Sequence, residues 1–333
     1  MGVTVENIRF YKAKTMNDSD ANGGKLGVVQ IVNNLSENLF PHVTPEERNS
    51  GSTKYRKFFI KNENQDNEIA YDAKIWMEKQ TPADDYVVIF EGTQIDTQAD
   101  ITANPPSRTY GCGKLTESIS AGATEISVLC ETNGIFYEGD KIRISDKQTL
   151  DDPNGKAEFH TIQSVSWDGL VATLSLNEPV ENDYNANNTK VTGVIETDNI
   201  NASVDNYNVT SEQGNYDYEN HPVEIDNIGT IEEEWTITFQ TSTTFECSGA
   251  EVGSVGSGSV NEDFTPENPN FPGRNYFKLK KDGWGGNWQS GDTFVFRTHP
   301  SAVPIWCKRV VPAGCSAFSQ NTFVVAIEWA TTG

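Results

Sequence analysis

Apolar positions along this chain alternate with polar ones at a spacing of two, and helix-forming runs are few and far apart. Over residues 69–77, Ile69, Tyr71, Ala73, Ile75 and Met77 share one face while Asp72 and Lys74 share the other, which predicts a strand with one buried side. Residues 55–61 predict a partner strand, joined to it by a polar connection of Asn, Gln, Asp and Glu at 62–68. Residues 86–90 predict a third strand before the break at Asn104-Pro105-Pro106. This first segment, residues 1–107, is expected to be an immunoglobulin-like β-sandwich. It holds one expected helical turn, Thr44-Pro45-Glu46-Glu47-Arg48. There Thr caps, Pro suits the first helical position and the acids sit at the positive end of the dipole.

A second segment, residues 108–196, is punctuated by Ala121-Gly122-Ala123, Glu138-Gly139-Asp140, Pro153-Asn154-Gly155 and Asp168-Gly169. The short apolar runs between those turns, at 125–129, 141–145, 158–165 and 170–176, predict a small β-barrel. Leu170, Ala172, Leu174 and Leu176 are expected to face its interior. The third segment, residues 197–333, carries five of the seven tryptophans. Strands are expected at 234–240, 276–280, 293–297 and 323–329, forming a C-terminal β-sandwich, and the Gly- and Ser-rich stretch 248–260 is expected as an exposed loop or arm. The runs Gly139-Asp140 and Gly291-Asp292 echo one another ahead of alternating strands, which shared turn chemistry explains without a duplication. The fold class is therefore all-β and multidomain, with β-sandwich domains plus a small β-barrel.

Charge narrows the partners. With 48 acidic and 25 basic side chains the formal net charge is −23, a field that repels phosphate backbones and anionic lipid, so neither nucleic acid nor membrane is an expected partner. No apolar run reaches the roughly 20 residues of a spanning helix, and the first ten residues lack the apolar core of a signal peptide. The five cysteines, Cys112, Cys130, Cys247, Cys307 and Cys315, have no zinc-knuckle spacing and are expected as reduced thiols, with a Cys307–Cys315 pairing as the alternative.

Chemistry-bearing constellations are sparse. The four histidines, His42, His160, His221 and His299, show neither the spacing of a zinc protease helix nor a nucleophile beside them. Asp18-Ser19-Asp20-Ala21-Asn22-Gly23 matches the first half of an EF-hand loop, making Asp18, Asp20 and Asn22 the candidate calcium ligands. Val29 stands where the closing bidentate Glu belongs, and an Asn/Asp/Gly turn accounts for the same residues. Carboxylate neighbours such as Asp84-Asp85, Asp151-Asp152 and Glu232 to Glu234 fit solvated faces better than the spaced pair of a glycosidase. Trp284-Gly285-Gly286-Asn287-Trp288 can be read as a sugar-stacking platform, as an intersubunit anchor or as core. No catalytic site can be named, so the chain is expected to be no enzyme and to need no cofactor. Arg48, Lys54, Arg56 and Lys57 form the main basic cluster, a candidate patch for an acidic neighbour; with Trp284 and Trp288 they are the candidate interface residues.

Two ordered blocks of motifs go further. The first runs from Asn22-Gly23-Gly24 through Asn38-Leu39-Phe40-Pro41-His42-Val43-Thr44, Glu47-Arg48 and Gly51-Ser52-Thr53-Lys54-Tyr55-Arg56-Lys57, then Phe59-Ile60-Lys61-Asn62 and Thr81-Pro82-Ala83-Asp84-Asp85-Tyr86, to Glu91-Gly92-Thr93-Gln94. The second holds residues 235–239, Phe264-Thr265-Pro266-Glu267-Asn268-Pro269, Trp284-Gly285-Gly286, Gly291-Asp292-Thr293 and residues 306–314. In these the chain resembles a family of virion structural proteins of contractile-tailed bacteriophages. The resemblance covers about two thirds of the chain and implies a neck, collar or tail component. Implied with it are assembly in the host bacterial cytoplasm, localisation in the virion, and partners that are copies of itself in a symmetric ring and other virion proteins. A carbohydrate-binding component of the host-adhesion apparatus is the alternative expectation.

Overall fold

The computed structural model describes residues 2–35 and 37–331. Its strands fall into three main antiparallel sheets and one small ribbon, so the chain is all-β and built from several sheets. The expected helical turn is present as the helix Pro45–Ser50, with the Thr44 hydroxyl accepting from the Glu47 amide at 3.2 Å and the Glu47 carboxylate accepting from the Thr44 amide at 2.8 Å. A second short helix, Gln98–Ala103, lies just before the Pro105-Pro106 break and was not expected. Its capping box uses Thr97 and Asp100, a shorter acid than the Glu or Gln that marks such boxes.

The first sheet has the order Gly23–Gln30, Ile8–Thr15, Ser52–Asn62, Ala302–Val311, Tyr86–Glu91. Ala302–Val311 pairs with Ser52–Asn62 continuously from Ala302 opposite Lys61 to Val311 opposite Ser52. The chain therefore returns to its N-terminal sheet after residue 300, and the boundary drawn at 197–333 is corrected: the strands Ala302–Val311 and Val324–Ala330 pair with strands of the first segment. Ile305, Trp306 and Cys307 are all fully buried, because a central strand covered on both faces has no polar side. That removes the alternation by which a strand is recognised.

The second sheet runs Val324–Ala330, Tyr71–Lys79, Lys190–Glu196, Cys112–Leu115, Glu125–Cys130, Val171–Leu176, Ala157–Asp168, Lys141–Ser145, and the last strand pairs back onto Lys190–Glu196. Six strands thus close the expected barrel around Val128, Ile142, Ile144, Ala172, Leu174 and Val191, all fully buried. Leu170 is the exception to the expected inward set. It follows Gly169 (φ +60°) in the turn, outside the strand Val171–Leu176, and is exposed. Lys190–Glu196 belongs to the barrel and, through Tyr71–Lys79, to the sandwich. Ala73, Ile75 and Met77 are buried against Phe58, Ile60, Ile305 and Cys307 of the first sheet, as their shared face predicts. The opposite face was expected to be polar, yet Trp76 and Glu78 are buried there.

The third sheet has the order Ser203–Thr210, Thr293–His299, Glu233–Phe239, Thr244–Gly249, Gly253–Ser259. Trp235, Ile237 and Phe239 alternate inward as expected. The expected strand at 276–280 is absent: only isolated bridges form there, Glu224 with Lys278 and Phe264 with Leu279. The layer opposite the sheet is irregular chain plus the ribbon of Gly214–Tyr216 and Trp284–Gly286, held by aromatic packing such as Trp235 on Phe277 at 4.9 Å. The Gly- and Ser-rich stretch is no loop either; Thr244–Gly249 and Gly253–Ser259 make an edge hairpin, since small residues suit an outermost strand with little to cover it. Gly139 (φ +85°) and Gly291 (φ +93°) both enter strands from left-handed turns, which is the shared turn chemistry behind the echo. Among the described residues no helix is long and apolar enough to cross a membrane.

Candidate functional site

A groove of about 2060 Å3 runs along the open side of the sandwich, between residues 30–35 and 37–43 on one side and Val324–Ala330 on the other, and reaches Lys147, Leu150 and Phe159 of the barrel. Among the described residues Val324–Ala330 pairs on one side only, with Tyr71–Lys79, which leaves its other side as a free strand edge. The floor is apolar. Phe40 and Phe323 meet at 6.1 Å, and Phe58 lies beneath. Along the rim Val32, Leu35, Phe318 and Val324 are exposed to solvent.

Five carboxylates, Glu37, Asp84, Asp85, Asp151 and Glu328, line this groove together with six lysine or arginine side chains, Arg9, Arg48, Lys79, Arg143, Lys147 and Arg309. Of those six, Arg143 alone forms an ion pair among the described residues, with Glu78 at 3.0 Å. Arg9, Arg48, Lys147 and Arg309 donate to backbone carbonyls instead. Arg309 is the most constrained. It is 6% exposed, its Nη1 donates to the Pro41 carbonyl at 2.9 Å, and its guanidinium lies 4.7 Å from the Phe40 ring. Its Nε and Nη2 have no hydrogen-bond partner among the described residues. Those two atoms are the fork with which arginine grips a carboxylate. Burial pulls the Arg309 pKa below its ordinary value, opposed by the nearby Asp85 carboxylate. Asp85 accepts from Asn321 Nδ2 at 2.6 Å through one oxygen and leaves the other unpartnered.

At the barrel end of the groove, the Trp76 indole N–H donates to Glu78 at 2.7 Å, Lys190 pairs with the other Glu78 oxygen, and the Arg143 guanidinium stacks on Trp76 at 4.8 Å. This buried cluster ties sandwich to barrel. Chemically the groove offers an apolar wall, a free strand edge and charged side chains of both signs, a set suited to a polypeptide surface.

The residues singled out from sequence lie elsewhere or serve other ends. Lys57 is fully buried, bonded to Asp96 at 2.6 Å and the Gly24 carbonyl at 2.7 Å, and burial lowers its pKa against the pull of Asp96. Arg56 is buried on Asp18 at 2.5 Å, and Lys54 bridges Asp18 and Glu47 at 3.0 Å each. An exposed basic patch is thus corrected to an internal ion network, because Ser52–Asn62 is a central strand with neighbours on both sides. Arg48 alone of the four lines the groove.

Trp288 is buried, stacked on Phe239 at 4.1 Å, and half-buried Trp284 packs edge-on against Tyr216 at 4.7 Å. Of the three readings of that motif the structure has the core one, and no stacking platform is presented to a sugar.

The EF-hand-like stretch is a turn. The Asp18 carboxylate is engaged by Arg56 and Lys54, Asp20 is exposed, and Asn22 is buried with its amide donating to the Tyr55 carbonyl at 2.8 Å and Gln98 at 3.0 Å. Its donors do not converge, and no cluster of three or more metal-binding side chains occurs among the described residues. His160 is buried on Glu158 at 2.8 Å, and His299 bridges Glu232 at 2.7 Å and Asp205 at 3.1 Å. All five cysteines are unpaired, four of them buried. Cys307 lies inside the central strand, away from any bond with Cys315, whose Sγ contacts the Pro312 carbonyl.

Sequence reasoning missed the groove because its lining comes from many stretches far apart along the chain, from Val5 to Trp329. One signal was present: Phe40 and Arg309 both lie in the motif blocks named above. Compared with known proteins, the chain matches no family model, no curated protein and no solved structure.

Proposed function

We propose that this chain is a structural subunit of a tailed-phage virion, a neck or collar protein that works by packing against copies of itself and other virion proteins around the head-to-tail connection. The observation that supports this most is the groove: exposed apolar side chains and charges of both signs beside a free strand edge. Such a surface discriminates among protein neighbours by charge and register. The motif blocks that resemble contractile-phage virion proteins point the same way. Strand edges left open on each main sheet, at Gly23–Gln30, Val324–Ala330, Ser203–Thr210 and Gly253–Ser259, suit a subunit that completes its pairing in an assembly.

Quantitative mass spectrometry of particles purified from the phage that encodes the chain tests this. The expected result is a fixed, symmetric copy number per particle, unchanged by high-salt washing. Absence from washed particles would overturn the proposal.

A further inference from the structure

We infer that the chain cross-links itself: Lys57 Nζ condenses with the side-chain carboxyl of Asp96 to form an isopeptide bond inside the sandwich, and the ion pair described above is its unreacted state. The inference concerns the chain's own covalent structure and does not rest on the assembly reading.

Placement comes first. Lys57 lies in the central strand Ser52–Asn62, opposite Trp306. Its side chain is fully buried and that of Asp96 is 12% exposed. Nζ stands 2.6 Å from Asp96 Oδ1, so the carboxyl carbon is at most one C–O bond further away. That oxygen is buried and has no hydrogen bond of ordinary geometry among the described residues. Two carbonyls aim the nitrogen, which donates to Gly24 at 2.7 Å and to the Asp96 backbone at 3.1 Å. The other carboxyl oxygen, Oδ2, accepts from the Trp306 indole N–H at 2.9 Å. Aromatic rings enclose the pair, with Nζ 5.0 Å from the centre of Phe59 and 5.9 Å from that of Trp306. A Cβ at Gly23 or Gly92 would meet the Trp306 ring at 2.6 or 2.8 Å, so these two glycines let the chain close over the site.

Each part serves condensation. Two charges held away from water are costly, and a neutral amine beside a carboxylic acid removes that cost; burial lowers the Lys57 pKa in the same sense. Once the ammonium has passed a proton to Oδ1, the amine lone pair attacks the carboxyl carbon. The Trp306 N–H stabilises the negative charge that gathers on Oδ2. A second nitrogen proton goes to Oδ1, the bond from carbon to Oδ1 breaks, and Oδ1 leaves as water. The nitrogen keeps one hydrogen and Oδ2 becomes the amide carbonyl oxygen, so one ammonium and one carboxylate yield one amide and one water. Holding the two groups in contact supplies the encounter that separate molecules must make in solution.

The test is intact-mass spectrometry of the purified full chain under denaturing conditions, followed by tryptic mapping. The chain is expected to be lighter by one water than its residues sum to. Cleavage after Lys57 is expected to be blocked, with the peptide that contains Lys57 joined to the one that contains Asp96. Lys57→Gln, its fold checked by circular dichroism, is expected to show neither the water loss nor the joined peptide. A wild-type chain at full mass with Lys57 and Asp96 in separate linear peptides would overturn the cross-link. So would a water loss that maps to other residues or persists in Lys57→Gln.

Discussion

Single side chains in this protein carry their charge and aromatic area inward. Trp288 shows the aromatic case: stacked on Phe239 and packed edge-on against Trp284, it is part of the core under the third sheet. Truncating it leaves a cavity that the rigid sheet cannot refill, so Trp288→Ala should cost about 3–5 kcal/mol of stability in urea unfolding. An unchanged midpoint would contradict its place in the core. His299 shows the ionic case. Its bond to Glu232, helped by Asp205 and opposed by burial, raises its pKa above the ordinary value of 6.5. Because the folded form binds the proton more tightly, its stabilisation is complete below the unfolded pKa and is lost as pH rises through the folded one. Melting temperature should therefore fall as pH climbs from just above 6.5, and His299→Gln should flatten that slope. An equal slope in both proteins would remove the assignment.

Among elements, the decisive one is Tyr71–Lys79, which faces the sandwich core with Ala73, Ile75 and Met77 and the barrel seam with Trp76 and Glu78. Glu78 neutralises Arg143 and Lys190 there. Replacing it with Ala leaves two cations at the seam, one of them buried, and should destabilise by about 3–5 kcal/mol. Additional Arg143→Met in the same chain should recover part of that loss, and the urea midpoints of both variants measure it. The alternation of 69–77 made one face of this strand legible in the sequence. The second face was not legible, because a Trp and a Glu read as solvent-facing unless the distant Arg143 and Lys190 are known to meet them. The same physics hid Ala302–Val311, apolar on both faces, and made Arg56 and Lys57 resemble a surface patch. Turns were the clearest signals: Thr44 with Pro45 and Glu47, and the glycines at 139 and 291, act through their nearest neighbours alone. The groove has no local signature, since its cations are distinguished only by lacking partners in space.

For the molecule as a whole, the return of residues 302–330 to the first sheets binds both ends of the chain into one sandwich, with the barrel and the third sheet inserted between them in sequence. Long-range antiparallel pairing of this kind gives a stiff body with free edges, suited to holding neighbours at fixed angles in a repeated assembly. In the proposed assembly the groove is the surface that a neighbour covers. Imaging intact particles by cryo-electron microscopy tests this most directly. The account predicts density for the chain in a symmetric ring at the head–tail junction, with the groove of each copy covered by protein; density at a distal fibre tip with the groove open to solvent would contradict it.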